Sequence, residues 1–169
     1  MPTPGQTAIV VPVPAADRLL WEVSGTHPQA VREGVAAHVS LLYPFLDVSH
    51  VDEEVLGWLR EFAARTQPIA VEFLDVLSTP GFVHLPVPAL RSLAAGIRAR
   101  WPQVVPYGGR FGADPLPHVT LAMGLRAEDG AAVAERVRRF LPLTGSADRV
   151  WIVAYDDGWD LVEAFPLSG

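Results

Sequence analysis

The chain has 169 residues and a formal net charge of −6, and half of its residues are hydrophobic. That is the size of one domain with a real core, and it excludes a disordered chain. Cysteine and lysine are both absent, all 13 basic residues being arginine, which excludes disulfides, thiolate metal centres, a cysteine nucleophile, a Schiff-base lysine, a lysine-adenylating ligase and a GK[ST] phosphate loop.

The richness in alanine, arginine, glycine and proline matches GC-rich coding and points to a bacterial source. The acidic balance gives the molecule as a whole no long-range attraction to a nucleic-acid backbone and argues against long duplex partners. The N-terminal apolar run is interrupted by Pro12 and Pro14 and stopped by Asp17. It reads as neither a signal peptide nor a membrane span, so a cytoplasmic protein without a membrane partner is expected.

In chain order, Thr7 to Val13 is short, β-branched and proline-bounded, which predicts a buried strand. A short helix is expected over Ala15 to Val23 and a second strand over Ala37 to Leu42. Ser49 is a candidate cap for a helix with Val51, Val55, Leu59 and Phe62 on its inner face. Ile69 to Leu77 reads as a strand, Pro80-Gly81 as a turn and Phe82 to Leu85 as its partner. Leu90, Leu93, Ile97 and Trp101 mark the next helix. A glycine- and proline-rich stretch, Val104 to Pro117, leads into a strand from His118 to Met123. Another helix carries Val133, Val137, Phe140 and Leu141 inward, with Arg136, Arg138 and Arg139 in solvent. The chain finishes with a hairpin of Val150 to Tyr155 and Trp159 to Phe165 turning at Asp157-Gly158. Helices and hairpins in irregular alternation predict an α+β fold with antiparallel sheets, and no linker divides residues 1–169, so a single domain is expected.

Two segments look alike: His38-Val39-Ser40-Leu41 and His118-Val119-Thr120-Leu121, 80 residues apart, close to half the chain. Such self-similarity predicts two similar halves facing each other across a cleft. On a strand, residues i and i+2 share a face and stand roughly 6 to 7 Å apart. His38 with Ser40, and His118 with Thr120, therefore point one way, while Val39, Leu41, Val119 and Leu121 point into the core. If the strands meet, two imidazoles and two hydroxyls converge on a space the size of a small anion.

That set suits phosphoester chemistry without a metal. One neutral imidazole takes a proton from the attacking oxygen while the other, protonated, gives one to the leaving oxygen, and a reference pKa of roughly 6.5 keeps both forms accessible. The Ser40 and Thr120 hydroxyls can donate to non-bridging phosphate oxygens. Metal binding by the two histidines with Asp114 is the rival use of the imidazoles. It is disfavoured because neither motif brings a carboxylate to the histidine-bearing face. The bland alternative is a pair of half-buried strand histidines satisfied by backbone groups.

At these residues the sequence resembles the 2H phosphoesterase superfamily, named for two His-x-[Ser/Thr]-x motifs, and in particular its bacterial 2′,5′ RNA ligase-like and cyclic phosphodiesterase branch. His38 to Phe45 looks like the first motif with its aromatic and proline trailer, and Pro117 to Leu121 looks like the second. The resemblance implies a two-lobed, duplicated, LigT-like fold with antiparallel sheets facing a central cleft and helices outside. It implies His38, Ser40, His118 and Thr120 as catalytic residues, no cofactor, and a small nucleotide or RNA end bearing a 2′,3′-cyclic phosphate as substrate, opened to a 2′-phosphate. Cofactor-free 2′,5′ ligation, a phosphodiesterase acting on another small molecule, and a non-catalytic nucleotide- or RNA-end-binding module are the alternatives. A monomer is expected.

Three further side chains are candidates for substrate binding. Arg110 is the one basic residue between Arg100 and Arg126 and lies among glycines whose amides can approach an anion. Tyr43 can stack on a base, whereas Phe45 is expected to pack in the core. His84 falls on a strand that can turn a side chain toward the cleft. Trp58 and Trp101 read as core, Trp151, Tyr155 and Trp159 as cross-strand packing in the last hairpin, and His27 and His50 are assigned no role.

Overall fold

A computed structural model describes residues 1–169. It contains nine strands: β1 (Thr7–Pro12), β2 (His38–Leu42), β3 (Ile69–Phe73), β4 (Leu77–Thr79), β5 (Phe82–Pro86), β6 (His118–Met123), β7 (Leu143–Ala147), β8 (Arg149–Tyr155) and β9 (Trp159–Pro166). Four helices accompany them: α1 (Asp17–Ser24), α2 (Glu53–Ala64), α3 (Arg91–Arg100) and α4 (Ala127–Arg138). Seven strands form one sheet in the order β4-β5-β6-β2-β1-β8-β9, and β3 pairs with β7 in a separate ribbon. Every strand pairing is antiparallel, so the fold is α+β with antiparallel sheets.

The two lobes join in the middle of the sheet, where β2 and β6 meet through the pair Val39–Val119. Both valines are fully buried in a core of 37 residues that also takes Leu19 and Val23 of α1, Leu59 of α2, Leu93 and Ile97 of α3, and Val133 and Val137 of α4. The helices lie on that side of the sheet: α1 packs on β6, α3 on β2, α2 on β9 and α4 on β4 and β5. The opposite face is therefore free of helices. None of the four is long and apolar enough to cross a membrane.

The lobes repeat each other in finer detail than the histidine motifs alone. Pro12-Val13-Pro14-Ala15 follows β1 as Pro86-Val87-Pro88-Ala89 follows β5. Pro12 lies across from His38 and Pro86 across from His118. The Val13 amide donates to the carbonyl of Ala37 at 2.9 Å and the Val87 amide to that of Pro117 at 2.8 Å, so each bond anchors the residue just before a histidine. Pro14 and Pro88 each open a short 3-10 turn, where a missing N–H costs nothing.

Four sequence expectations need correction. The run Ile69 to Leu77 is not one strand: β3 pairs with β7 and β4 pairs with β5, and the chain changes sheets between Phe73 and Leu77. Ser49 does not cap α2. The Asp52 carboxylate does, accepting from the Val55 amide at 3.0 Å, while Ser49 sits in a preceding turn whose cap is Asp47. Phe140 and Leu141 lie beyond the end of α4. Arg136 and Arg138 are partnered rather than simply solvated: Arg136 donates to Thr26 and to the Glu22 carbonyl, Arg138 to Glu135 and to the Val76 carbonyl. Strand β7, Leu143–Ala147, carries a central glycine and two small hydroxyl residues, and gives no strand signal in the sequence.

Candidate active site

The burial pattern of the two motif strands is the same: His38 and Ser40 half-buried with Val39 and Leu41 buried, His118 and Thr120 half-buried with Val119 and Leu121 buried. All four chemistry-bearing side chains thus lie on the helix-free face. The antiparallel register through Val39–Val119 places His38 across from Thr120 and Ser40 across from His118. Directly opposed side chains start about 4.5 to 5.5 Å apart and diagonal ones about 7 to 8 Å apart. The two imidazoles stand on that diagonal, near enough for the His118 charge to act on His38.

Their hydrogen bonds match as well. His38 Nδ1 lies 2.8 Å from the carbonyl oxygen of Ala36, and His118 Nδ1 lies 2.9 Å from that of Leu116, two residues upstream in each case. A carbonyl only accepts, so Nδ1 carries hydrogen in both rings and donates it. This leaves Nε2 of each ring as the nitrogen that can give or take a proton. Burial pushes the pKa of His38 below its ordinary 6.5. The carbonyl of Ala36 opposes that shift, and the nearby charges of Arg32 and His118 add to it. The neutral form of His38 is the favoured one.

His84 joins this group. It lies across from Thr120 on β5, its ring stacks on Phe82 at 4.4 Å, and its edge meets His118 at 5.4 Å between centroids. Burial first, and the His118 charge second, push its pKa down to about 4. Its Nδ1 is buried with no hydrogen-bond partner.

Tyr43 follows the first motif strand. Its hydroxyl donates to Gln6 Oε1 at 3.3 Å, and its ring meets Trp159 at 6.0 Å and Tyr107 at 6.1 Å. Arg110 is exposed, and its guanidinium lies over the Phe111 ring at 5.6 Å. It is the Phe111 ring, not a motif side chain, that meets Arg110. Phe45 is buried against Trp101 at 4.8 Å, and Asp114 accepts from Arg91 and Arg98, at 3.1 Å each.

Two residues of this region carry no signal in the motifs. Tyr107 sits in the loop before β6 with φ of 52°, the one non-glycine residue in the left-handed region. Its ring lies near-parallel to His118 at 6.4 Å, and burial pushes its pKa up, a shift that the Ser40 hydroxyl and the Arg98 charge oppose. Arg98 is almost covered, its side chain 11% exposed. It donates to the Leu41 carbonyl on β2 at 3.0 Å and to the Pro115 carbonyl just before β6 at 3.3 Å, so it ties the flanks of both motifs together. A sign of this was present in the sequence: Arg98 falls among Ala94, Ile97 and Trp101 on the buried face of α3, where an unpaired charge would be costly.

Comparison with known proteins fits this geometry. A search among curated proteins returned no significant match. Among solved structures, TT0787 of Thermus thermophilus superposes with a TM-score of 0.67 at 16% identity, covering 97% of this chain and 98% of that one. LigT of E. coli in complex with phosphate superposes with a TM-score of 0.58 at 18% identity, covering 99% and 100%. LigT in complex with 3'-AMP gives a TM-score of 0.58 at 17% identity over the same shares. These likenesses show a shared, LigT-like fold. The family model of the 2'-5' RNA ligase superfamily matches residues 12–159, a span that includes both histidine motifs, and the chain belongs to that superfamily.

Proposed function

We propose that the protein is a phosphodiesterase that opens 2′,3′-cyclic phosphates of small nucleotides or RNA ends to 2′-phosphates, by acid/base catalysis between His38 and His118. The observation that carries this reading is the matched pair of Nδ1–carbonyl bonds on adjacent antiparallel strands. They leave two Nε2 atoms free on one face, each across from the other motif's hydroxyl. Two half-buried structural histidines have no need of that duplication.

In the reaction, His38 Nε2 takes a proton from water as the water oxygen bonds to phosphorus. The bond from phosphorus to the 3′ oxygen breaks, and that oxygen takes a proton from His118 Nε2. His38 has the base role because its surroundings favour the neutral ring. The Ser40 and Thr120 hydroxyls donate to the non-bridging oxygens, where charge builds up in the transition state. Holding all four groups on two joined strands supplies the orientation. The complexes of the similarly folded LigT with phosphate and with 3'-AMP support a small nucleotide as the guest.

With a 5′-hydroxyl attacking phosphorus in place of water and the bond to the 3′ oxygen again breaking, the same groups would join two RNA ends, a second reading that the family's description favours. The deciding experiment is product analysis. The protein is incubated with 2′,3′-cyclic mononucleotides, and separately with paired RNA halves bearing a 2′,3′-cyclic phosphate and a 5′-hydroxyl. A 2′-phosphate product from the mononucleotides supports the hydrolytic reading. Joined RNA without hydrolysis supports the second, and neither product overturns both.

A further inference from the structure

We infer that His84 binds the nucleoside part of the substrate: its Nε2–H donates to an acceptor on the sugar or base of the nucleotide whose phosphate is held by the two motifs. The inference rests on the reading of the site given above and extends it to a third histidine, outside both motifs.

The strand sets the placement of the ring. In β5, half-buried Phe82, His84 and Pro86 alternate with buried Val83 and Leu85, so His84 lies on the same helix-free face as the motif side chains. It is across from Thr120, its edge meets the His118 ring at 5.4 Å, and its face lies on Phe82 at 4.4 Å. The two ring nitrogens differ. Nδ1 is buried without a hydrogen-bond partner. In this group only His38 and His118 bond to the chain through their rings, so Nε2 of His84 is left open on the helix-free face. Packing alone does not call for a histidine here: a phenylalanine would stack on Phe82 as well and would bury no orphaned nitrogen.

The ring's protonation gives the direction of the bond. With its pKa pushed down to about 4, the ring is uncharged near neutrality and has one N–H and one lone pair. A buried N–H without an acceptor is rarer in folded proteins than an unmet acceptor, which places the hydrogen on the open Nε2. His84 is then a donor that does no proton transfer of its own. Strand order identifies what it meets. His118 protonates the 3′ oxygen, so the nucleoside carrying that oxygen lies at His118. His84 stands at the edge of His118 on β5, one strand further from His38 on β2. Phe82 and the exposed Phe111 ring, 6.4 Å apart, give the same region an apolar wall. Such a wall suits a sugar or base and not a second phosphate.

The test compares two ligands, cytidine 2′-phosphate and inorganic phosphate. Each is titrated into wild type, His84→Phe and His84→Gln while the imidazole C2–H resonances of His38 and His118 are followed by NMR. Phenylalanine keeps a ring on Phe82 and removes the donor, whereas glutamine brings an amide donor close to the position of Nε2. The expected result is a dissociation constant for cytidine 2′-phosphate raised about 3- to 10-fold by His84→Phe and brought back to within about 2-fold of wild type by His84→Gln, with that for inorganic phosphate moved by neither. Equal losses for both ligands would show a disturbance of the motif strands and overturn the inference. So would no loss for cytidine 2′-phosphate, a loss that glutamine does not restore, or wild type that binds the nucleotide no tighter than phosphate. Turnover of 2′,3′-cyclic CMP by wild type reads the enzymatic proposal separately: binding of the nucleotide without turnover fails that proposal and leaves the titrations to decide this one.

Discussion

Val39 and Val119 face each other as the pair that joins β2 to β6, and both are completely buried. The pair is the local pseudo-dyad of the molecule: one step along each strand in either direction leads to a histidine on one strand and a hydroxyl on the other. Truncating Val119 to alanine removes packing at that joint and is expected to cost about 1 to 3 kcal/mol of unfolding free energy. Urea unfolding measures that loss, and a loss of turnover beyond the unfolded fraction reports the shift between the motifs.

His38→Ala and His118→Ala are each expected to slow turnover by about 10² to 10⁴, the usual worth of a general acid or base. Circular dichroism and urea midpoints should stay near those of wild type, because both rings are only half-buried and bond to local carbonyls. A variant of either histidine with wild-type kcat would contradict the assigned roles.

The pH profile of kcat/KM should keep its acid limb below pH 6.5. The base must be neutral, burial pushes the His38 pKa under that value, and activity is lost only as pH falls through the folded value. Mutating Arg32 to glutamine removes one of the charges that depress His38, and the acid limb should move up. An unmoved limb would show that another group sets it.

Stability should fall with acid in the window set by His84. This ring titrates at about 4 in the folded chain against 6.5 ordinarily. Between those values the unfolded chain binds a proton that the folded chain does not. The contribution is therefore fully present above pH 6.5 and is lost as pH drops toward 4. After allowance for its partial exposure it amounts to roughly 1 to 3 kcal/mol. His84→Phe should flatten the dependence of urea-derived stability on pH across that window, and an unchanged slope would count against the burial of the ring.

Arg98→Met keeps much of the side chain's volume and removes its hydrogen bonds to Leu41, Asp114 and Pro115. The orphaned carbonyls make a loss of about 1 to 3 kcal/mol the expected cost. Turnover should fall with it, because the arginine links the strand before one motif's end to the loop before the other. Thermal melts beside kinetics on the folded fraction separate the two effects.

The motif half of the site was legible in the sequence because strand parity is local: His38 with Ser40 and His118 with Thr120 share a face whatever the rest of the chain does. That two similar halves come together was suggested by the near-half-chain separation of the motifs, but that their strands lie side by side in one sheet is seen only in the structure. The second repeat, Pro12-Val13-Pro14-Ala15 against Pro86-Val87-Pro88-Ala89, carries the same message, and the chain shows it plainly once the carbonyl anchors of Ala37 and Pro117 are seen. What was not legible depends on distant contacts. Residues 69–77 form a continuous β-rich run by composition, and only the separate partners β7 and β5 show that it must break. Tyr107 looks like a loop tyrosine until its left-handed backbone and its two motif neighbours are placed together.

The central claim is that two motifs make one hydrolytic site, and 31P NMR of a 2′,3′-cyclic nucleotide incubated with the protein tests it most directly. The account predicts conversion of the cyclic resonance to that of a 2′-phosphate by wild type, in EDTA as well as in buffer, and almost none by His38→Ala or His118→Ala. Conversion by wild type that stops with EDTA and returns with zinc, or equal conversion by either histidine variant, would contradict it.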